Sequence, residues 1–223
     1  MILTPFFVLM VFRKLFKEEN CIYIQSAGVW VSPKDCVWDG PSCLTIFHQL
    51  STIYADQSTL FRKQLNIGNA TIVHLTAEVR EISLSTPVTR ILDLFQELSK
   101  LLSKPLSDDE AKEVRDLSCL EIFPLDGGGG ESAKGFDELT VGTPESEWYI
   151  ADRIHLHKCF HGVISLLAFP TEVVVNVMPL ITRLGLESRL LSRTAKGTRK
   201  FVNEKRKLDI ELEFRSKVSF FKR

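Results

Sequence analysis

The hydrophobic period of this chain changes twice, and those changes limit its possible folds more than any single motif does. From Leu44 onward the apolar residues recur at helical spacing. Leu44, Phe47, Leu50 and Tyr54 predict one helix, Leu60, Phe61 and Leu65 a short second, and Ile72, Leu75, Val79 and Ile82 a third. Thr86-Pro87 opens a fourth, with proline at its first position and Val88, Ile91, Leu92, Phe95, Leu98 and Leu102 along it; Ser107-Asp108-Asp109-Glu110 is a capping box for a fifth. At Leu120 the period shortens. EIFPLD (121–126), then ELTV, EWYIA and VISLLAF, are short β candidates separated by turn residues. After Pro170-Thr171 the helical period returns in Val173, Val174, Val177, Leu180, Ile181 and Leu184, with Pro179 expected to kink the helix or split it. Gly185 is a C-cap before a last short helix over 186–192. The expected class is α+β, mainly α: a helical bundle with a small inserted mixed β-sheet.

Four segments follow from this pattern. Residues 1–43 combine an apolar run (2–12), read as a buried strand or helix, with an irregular connection, VWVSPKDCVWDGPSC; residues 44–118 form the bundle, 119–195 a small sheet plus helices, and 196–223 a basic tail favoured as helix. The 223 residues are 44% hydrophobic, enough for a sizeable core. Lysine and arginine balance aspartate and glutamate overall, which argues against a disordered acidic chain and a uniformly basic nucleic-acid binder. The balance is uneven: residues 187–223 hold 12 Lys/Arg against 5 Asp/Glu, and the rest hold 16 against 23. A tail of this kind is expected to be solvated or to dock on the acidic body; contact with nucleic acid is the alternative. Cys21, Cys36, Cys43, Cys119 and Cys159 are odd in number and never spaced C-x-x-C, so a reducing, intracellular compartment, cytoplasmic or nuclear, is expected. The run 2–12 is about half the length of a membrane span and lacks the flanks of a signal peptide. Asn69-Ala70-Thr71 matches a glycosylation acceptor but is expected to cap a helix.

Candidate chemistry is sparse. Gly128, Gly130 and Ala133 satisfy a dinucleotide fingerprint in spacing, yet the turn-rich KGFDELTVGTPE that follows denies it the helix whose N-terminus would hold a phosphate. His155, His157, Cys159 and His161 supply imidazole and thiolate, the donors zinc or copper take. Their alternate spacing argues against a site. On a strand they would stand about 7 Å apart along one face, and on a helix each step turns about 200°, so a bend or help from His48 or His74 would be required. The expectation is half-exposed residues on a short helix whose Leu156 and Phe160 face inward. No hydrolase elbow, zinc-protease helix or recognised catalytic cysteine occurs. Asp152-Arg153 reads as a charged pair pinning a strand end to a neighbouring helix, and Trp30, Trp38 and Trp148 as core or interface anchors. No catalytic residue and no cofactor is therefore expected.

One resemblance joins these apolar motifs. VWVSPKDCVWDGPSC, LF-x3-L-x-I-x-NAT-x3-L (60–75), EIFPLD, EWYIADR-x2-L-x3-F-x-G, LLAF, MPLI-x-x-LGLESRLLSR and FRSKVSFFKR together resemble large fungal proteins of sacsin-like, NO VEIN-related architecture. In that family a GHKL-type ATPase domain, the nucleotide-binding fold of the ninety-kilodalton heat-shock chaperones, lies upstream of such a segment. The family's ATP-binding motifs have no matching positions here, so the resemblance carries over no catalytic residue. It implies a downstream helical and mixed region of a larger machine, contacting a protein partner or the absent ATPase domain. The expected function is thus a non-enzymatic structural or protein-interaction module, the alternative being a metal-binding protein or metal-dependent enzyme centred on His155, His157, Cys159 and His161.

Overall fold

The computed structural model describes residues 19–83, 85–126, 140–142 and 147–195. The apolar run 2–12, the glycine stretch 128–133 and the basic tail 196–223 lie outside the described residues.

The fold is α+β and mainly α. Its centre is α2 (Val88–Leu102), which packs against α1 (Ile72–Arg80) on one side and α5 (Thr171–Arg183) on the other. Helical spacing gathers Ile91, Leu94, Phe95, Leu98 and Leu102 into one buried stripe. Burying each such side chain contributes about 1.5–3 kcal/mol, so this stripe is a principal source of stability. The third helix, α3 (Asp108–Asp116), starts at the expected capping box: Glu110 Oε2 accepts from the Ser107 N–H at 3.0 Å, and Ser107 Oγ accepts from the Glu110 N–H at 3.3 Å. Asp108, Asp109 and Glu110 set three carboxylates in its positive first turn. Pro87 sits one position earlier than expected, at the N-cap, because its ψ of 138° is extended while its carbonyl accepts the first helical bond from Ile91. Thr71 of the Asn-Ala-Thr triplet is the N-cap of α1.

EIFPLD becomes β5 (Phe123–Asp126), the middle strand of a sheet ordered β6 (Thr140–Gly142), β5, β7 (Leu166–Leu167), antiparallel throughout. The EWYIA segment adds only single parallel bridges, Tyr149 to Leu166 and Ile150 to Leu190. The sheet lies on the helices: Phe123 stacks on Trp148 at 4.9 Å between ring centroids, and Phe95 meets Phe123 and Phe169 edge-on. One continuous core therefore runs from Val37 through the helices to Leu190. Arg189 covers the outer side of Trp148, 4.5 Å from the ring centroid, and donates to the Trp148 carbonyl.

Several expectations are corrected. Residues 44–54 do not form a helix. Leu44 and Leu50 are buried, but the backbone of β4 (His48–Gln49) pairs in parallel with β3 (Cys36–Val37), and the N–H groups of Leu50 and Ser51 donate to Val37 and Trp38. The expected second helix is a single π-helical stretch, Thr59–Gln64, closed by Asn66 at φ 58°. The irregular connection opens as the second strand of a hairpin, β1 (Ile22–Ile24) with β2 (Val29–Val31), whose turn has Gly28 at φ 68°. Ile22, Ile24, Val31, Trp38, Leu50, Phe61 and Ile67 then close a second, smaller core. Helix α5 runs unbroken through Pro179. The carbonyl that loses its helical donor belongs to Val175, an exposed residue on the solvent-facing side of the helix. Gly185, at φ 70°, ends α5 as expected, but a 3-10 turn (Leu186–Arg189) and a separate short helix, α6 (Leu191–Thr194), follow instead of one helix.

Candidate functional site

The histidine-rich segment forms α4 (Ile154–Phe160). Phe160 is buried and Leu156 packs beside it, as expected, while His155 and Cys159 face solvent. The four candidate ligands do not converge. Two steps of about 200° return a helix to within about 40° of its start, so alternate members of the series share a face. His157 and His161 are one such pair, with ring centroids 5.1 Å apart. Gly162, at φ 76°, then turns the chain back toward β7, whose Leu166 lies in register with Asp126 at the end of β5. This route sets the Asp126 carboxylate beside the two imidazoles: one donor atom from each of Asp126, His157 and His161 lies within 4.8 Å of the others. Asp126 and His157 are half-buried and His161 is exposed. The sequence signals were present, an i, i+4 histidine pair and an acid ending a strand, but the pairing of β5 with β7 is what joins them.

His48 and His74 stand elsewhere. His48 lies on β4, and His74 packs edge-on against Phe47, its Nδ1 accepting from the Thr71 N–H at 3.1 Å. Burial lowers the His74 pKa from its ordinary value. Asp152 does pin neighbouring elements, though through a cap: its Oδ1 accepts from the Ser192 N–H at the start of α6. Arg153 is the exposed N-cap of α4.

A buried ionic network is the functional-looking feature that sequence reasoning missed. Glu78 of α1 is fully buried, and its carboxylate accepts from the N–H groups of Thr45 (2.6 Å) and Ile46 (2.7 Å), from Thr45 Oγ1, and from Arg90 of α2 at 2.6 Å. Arg90 also donates to Thr45 Oγ1 and to the Cys43 carbonyl. Every donor here belongs to the chain itself, so the network fastens the 43–46 loop to two helices. A glutamate three residues after Leu75 on an inward-facing stripe was its signal.

Of the three tryptophans, Trp38 and Trp148 are core residues and Trp30 is 60% exposed. Trp30 lies opposite Tyr23 across the hairpin, rings 5.1 Å apart, and these two side chains form an outward aromatic face. The other face of the hairpin, Ile22, Ile24 and Val31, closes the smaller core. Among the described residues, an apolar void between α2, α5 and the sheet, lined by Phe95, Phe123, Trp148, Val177 and Leu180 among others, measures only about 10 Å³ and cannot admit a substrate.

Residues 73–195 match the family model described as a domain of unknown function, DUF8348. The chain belongs to this family. No curated protein and no solved structure matches it. The DUF8348 match takes in most of the continuous core, the Glu78–Arg90 ion pair and the Asp126–His157–His161 cluster, and leaves outside the β1–β2 hairpin and the 43–46 loop that the ion pair fastens.

Proposed function

We propose that this chain is an intracellular structural module that acts by contacting another protein and catalyses no reaction. The observation that carries the reading is the exposed Tyr23–Trp30 face. A large aromatic side chain held 60% exposed on a hairpin whose opposite face packs through Ile22, Ile24 and Val31 into the smaller core is suited to serve as an anchor in a protein interface. Its presentation is rigid, because the Tyr54 hydroxyl donates to the Tyr23 carbonyl at 2.6 Å and fixes β1 to the smaller core. Support for an intracellular setting comes from the cysteines: Cys36, Cys43, Cys119 and Cys159 are free thiols. Among the described residues no helix is long and apolar enough to cross a membrane. The sacsin-like resemblance makes an ATPase-bearing region the partner of choice. A photo-crosslinking amino acid placed at position 30 in cells should give one discrete protein adduct, and the same group at exposed Glu172 should give none. Absence of an adduct at position 30, or identical adducts at both positions, would contradict the reading.

A further inference from the structure

We infer that Asp126, His157 and His161 form a binding site for a divalent transition-metal ion, zinc or a first-row neighbour. Two imidazoles and one carboxylate are a donor set that suits Zn²⁺, Co²⁺, Ni²⁺ or Fe²⁺, whereas Mg²⁺ and Ca²⁺ favour all-oxygen surroundings. Helical geometry supplies half of the site: residues four apart on a helix project side by side, and the His157 and His161 rings already lie 5.1 Å apart with their planes inclined by 39°. Sheet pairing supplies the rest, since Asp126 is fixed opposite Leu166 in the β5–β7 ladder.

The backbone under all three ligands is held. His157 N–H donates to Arg153 at 3.0 Å and His161 N–H to His157 at 2.8 Å, so both histidines stand on formed helical turns. Donor atoms within 4.8 Å of one another must draw in to about 3.3 Å to share an ion at bonds of about 2.0–2.1 Å, a change that side-chain rotation provides without moving the backbone. The exposed His161 side leaves the remaining coordination positions to water or to an external ligand. His155 and Cys159, the other alternate pair on α4, face away to solvent and take no part.

The test is titration of the untagged, chelator-stripped chain with Co²⁺, followed by its visible absorption, with Zn²⁺ displacement as the second reading. One Co²⁺ per chain is expected. Asp126→Asn, nearly isosteric with the native residue, and His157→Ala should each weaken binding at least about tenfold, since even loss of a residue that merely orients a metal ligand costs 10–100-fold. His155→Ala and Cys159→Ser should leave it unchanged, and circular dichroism reports whether each variant is folded. Failure of the native chain to bind stoichiometrically, undiminished binding by Asp126→Asn, or equal loss in His155→Ala would each overturn the site.

Discussion

Replacing Glu78 gives the sharpest test of how this fold is fastened. Its carboxylate is wholly buried and takes four hydrogen bonds, two from backbone N–H groups of the 45–46 loop, one from the Thr45 hydroxyl and one from Arg90. In Glu78→Ala those donors lose their acceptor, and Arg90 loses the partner of its 2.6 Å ion pair. Breaking a buried pair in this way costs about 3–5 kcal/mol. Thr45 and Ile46 stand at the surface and the Arg90 side chain is partly exposed, so water recovers some of the loss, and about 3 kcal/mol is expected. Glu78→Gln keeps the shape. Its amide oxygen can still accept from Thr45 and Ile46, while its NH₂ turns toward the Arg90 guanidinium, donor against donor, for a cost of about 1.5–2 kcal/mol. Urea unfolding of the two variants and the native chain, read as the shift in midpoint at constant slope, measures both values. A loss below about 1 kcal/mol for Glu78→Ala would refute the reasoning, because the network would then be replaceable by water.

Three further outcomes are expected. Ser99 Oγ is buried in α2 with no partner among the described residues, so Ser99→Ala should stabilise the chain by about 1 kcal/mol in the same urea assay. Burial lowers the His74 pKa in the folded chain, so as pH falls through about 6.5 the unfolded chain takes up the proton first. The His74 contribution is therefore complete above that pH and lost below it, and His74→Gln, which keeps the capping acceptor, should flatten the fall in stability between neutral and mildly acid pH. Burial pushes the Cys36 thiol up to about 12; alkylation followed by mass spectrometry should modify exposed Cys119 and Cys159 in the folded chain and Cys36 only after unfolding.

The parts of the fold legible in the sequence are those with local causes. The stripe of α2, the Ser107 capping box, the end of α5 at Gly185 and the EIFPLD strand each follow from spacing or from one residue's backbone preference. What was lost depends on distant pairing. Leu44, Phe47, Leu50 and Tyr54 fit a helical stripe, but the backbone of 48–51 is claimed by residues 36–38. The hairpin of Tyr23 and Trp30 was hidden because strands of three residues are too short to show alternation clearly. The histidines show the same division. Local geometry pairs His157 with His161, while Asp126, 31 positions before His157, arrives only through the register of β5 and β7. Glu78 was overlooked because a charged residue on an apolar stripe reads as an interruption until its partners are in view.

The claim that this module works by protein contact stands or falls with the hairpin face. Sedimentation of the chain in extract from its own cells tests it directly, native against Tyr23→Ser/Trp30→Ser, with thermal unfolding as the control for folding. The native chain should travel in an assembly larger than its own 25.3 kDa, and the double variant, equally stable, should fall back to the mass of the chain alone. A native chain that sediments at its own mass, or a double variant that stays in the larger assembly, would contradict the account.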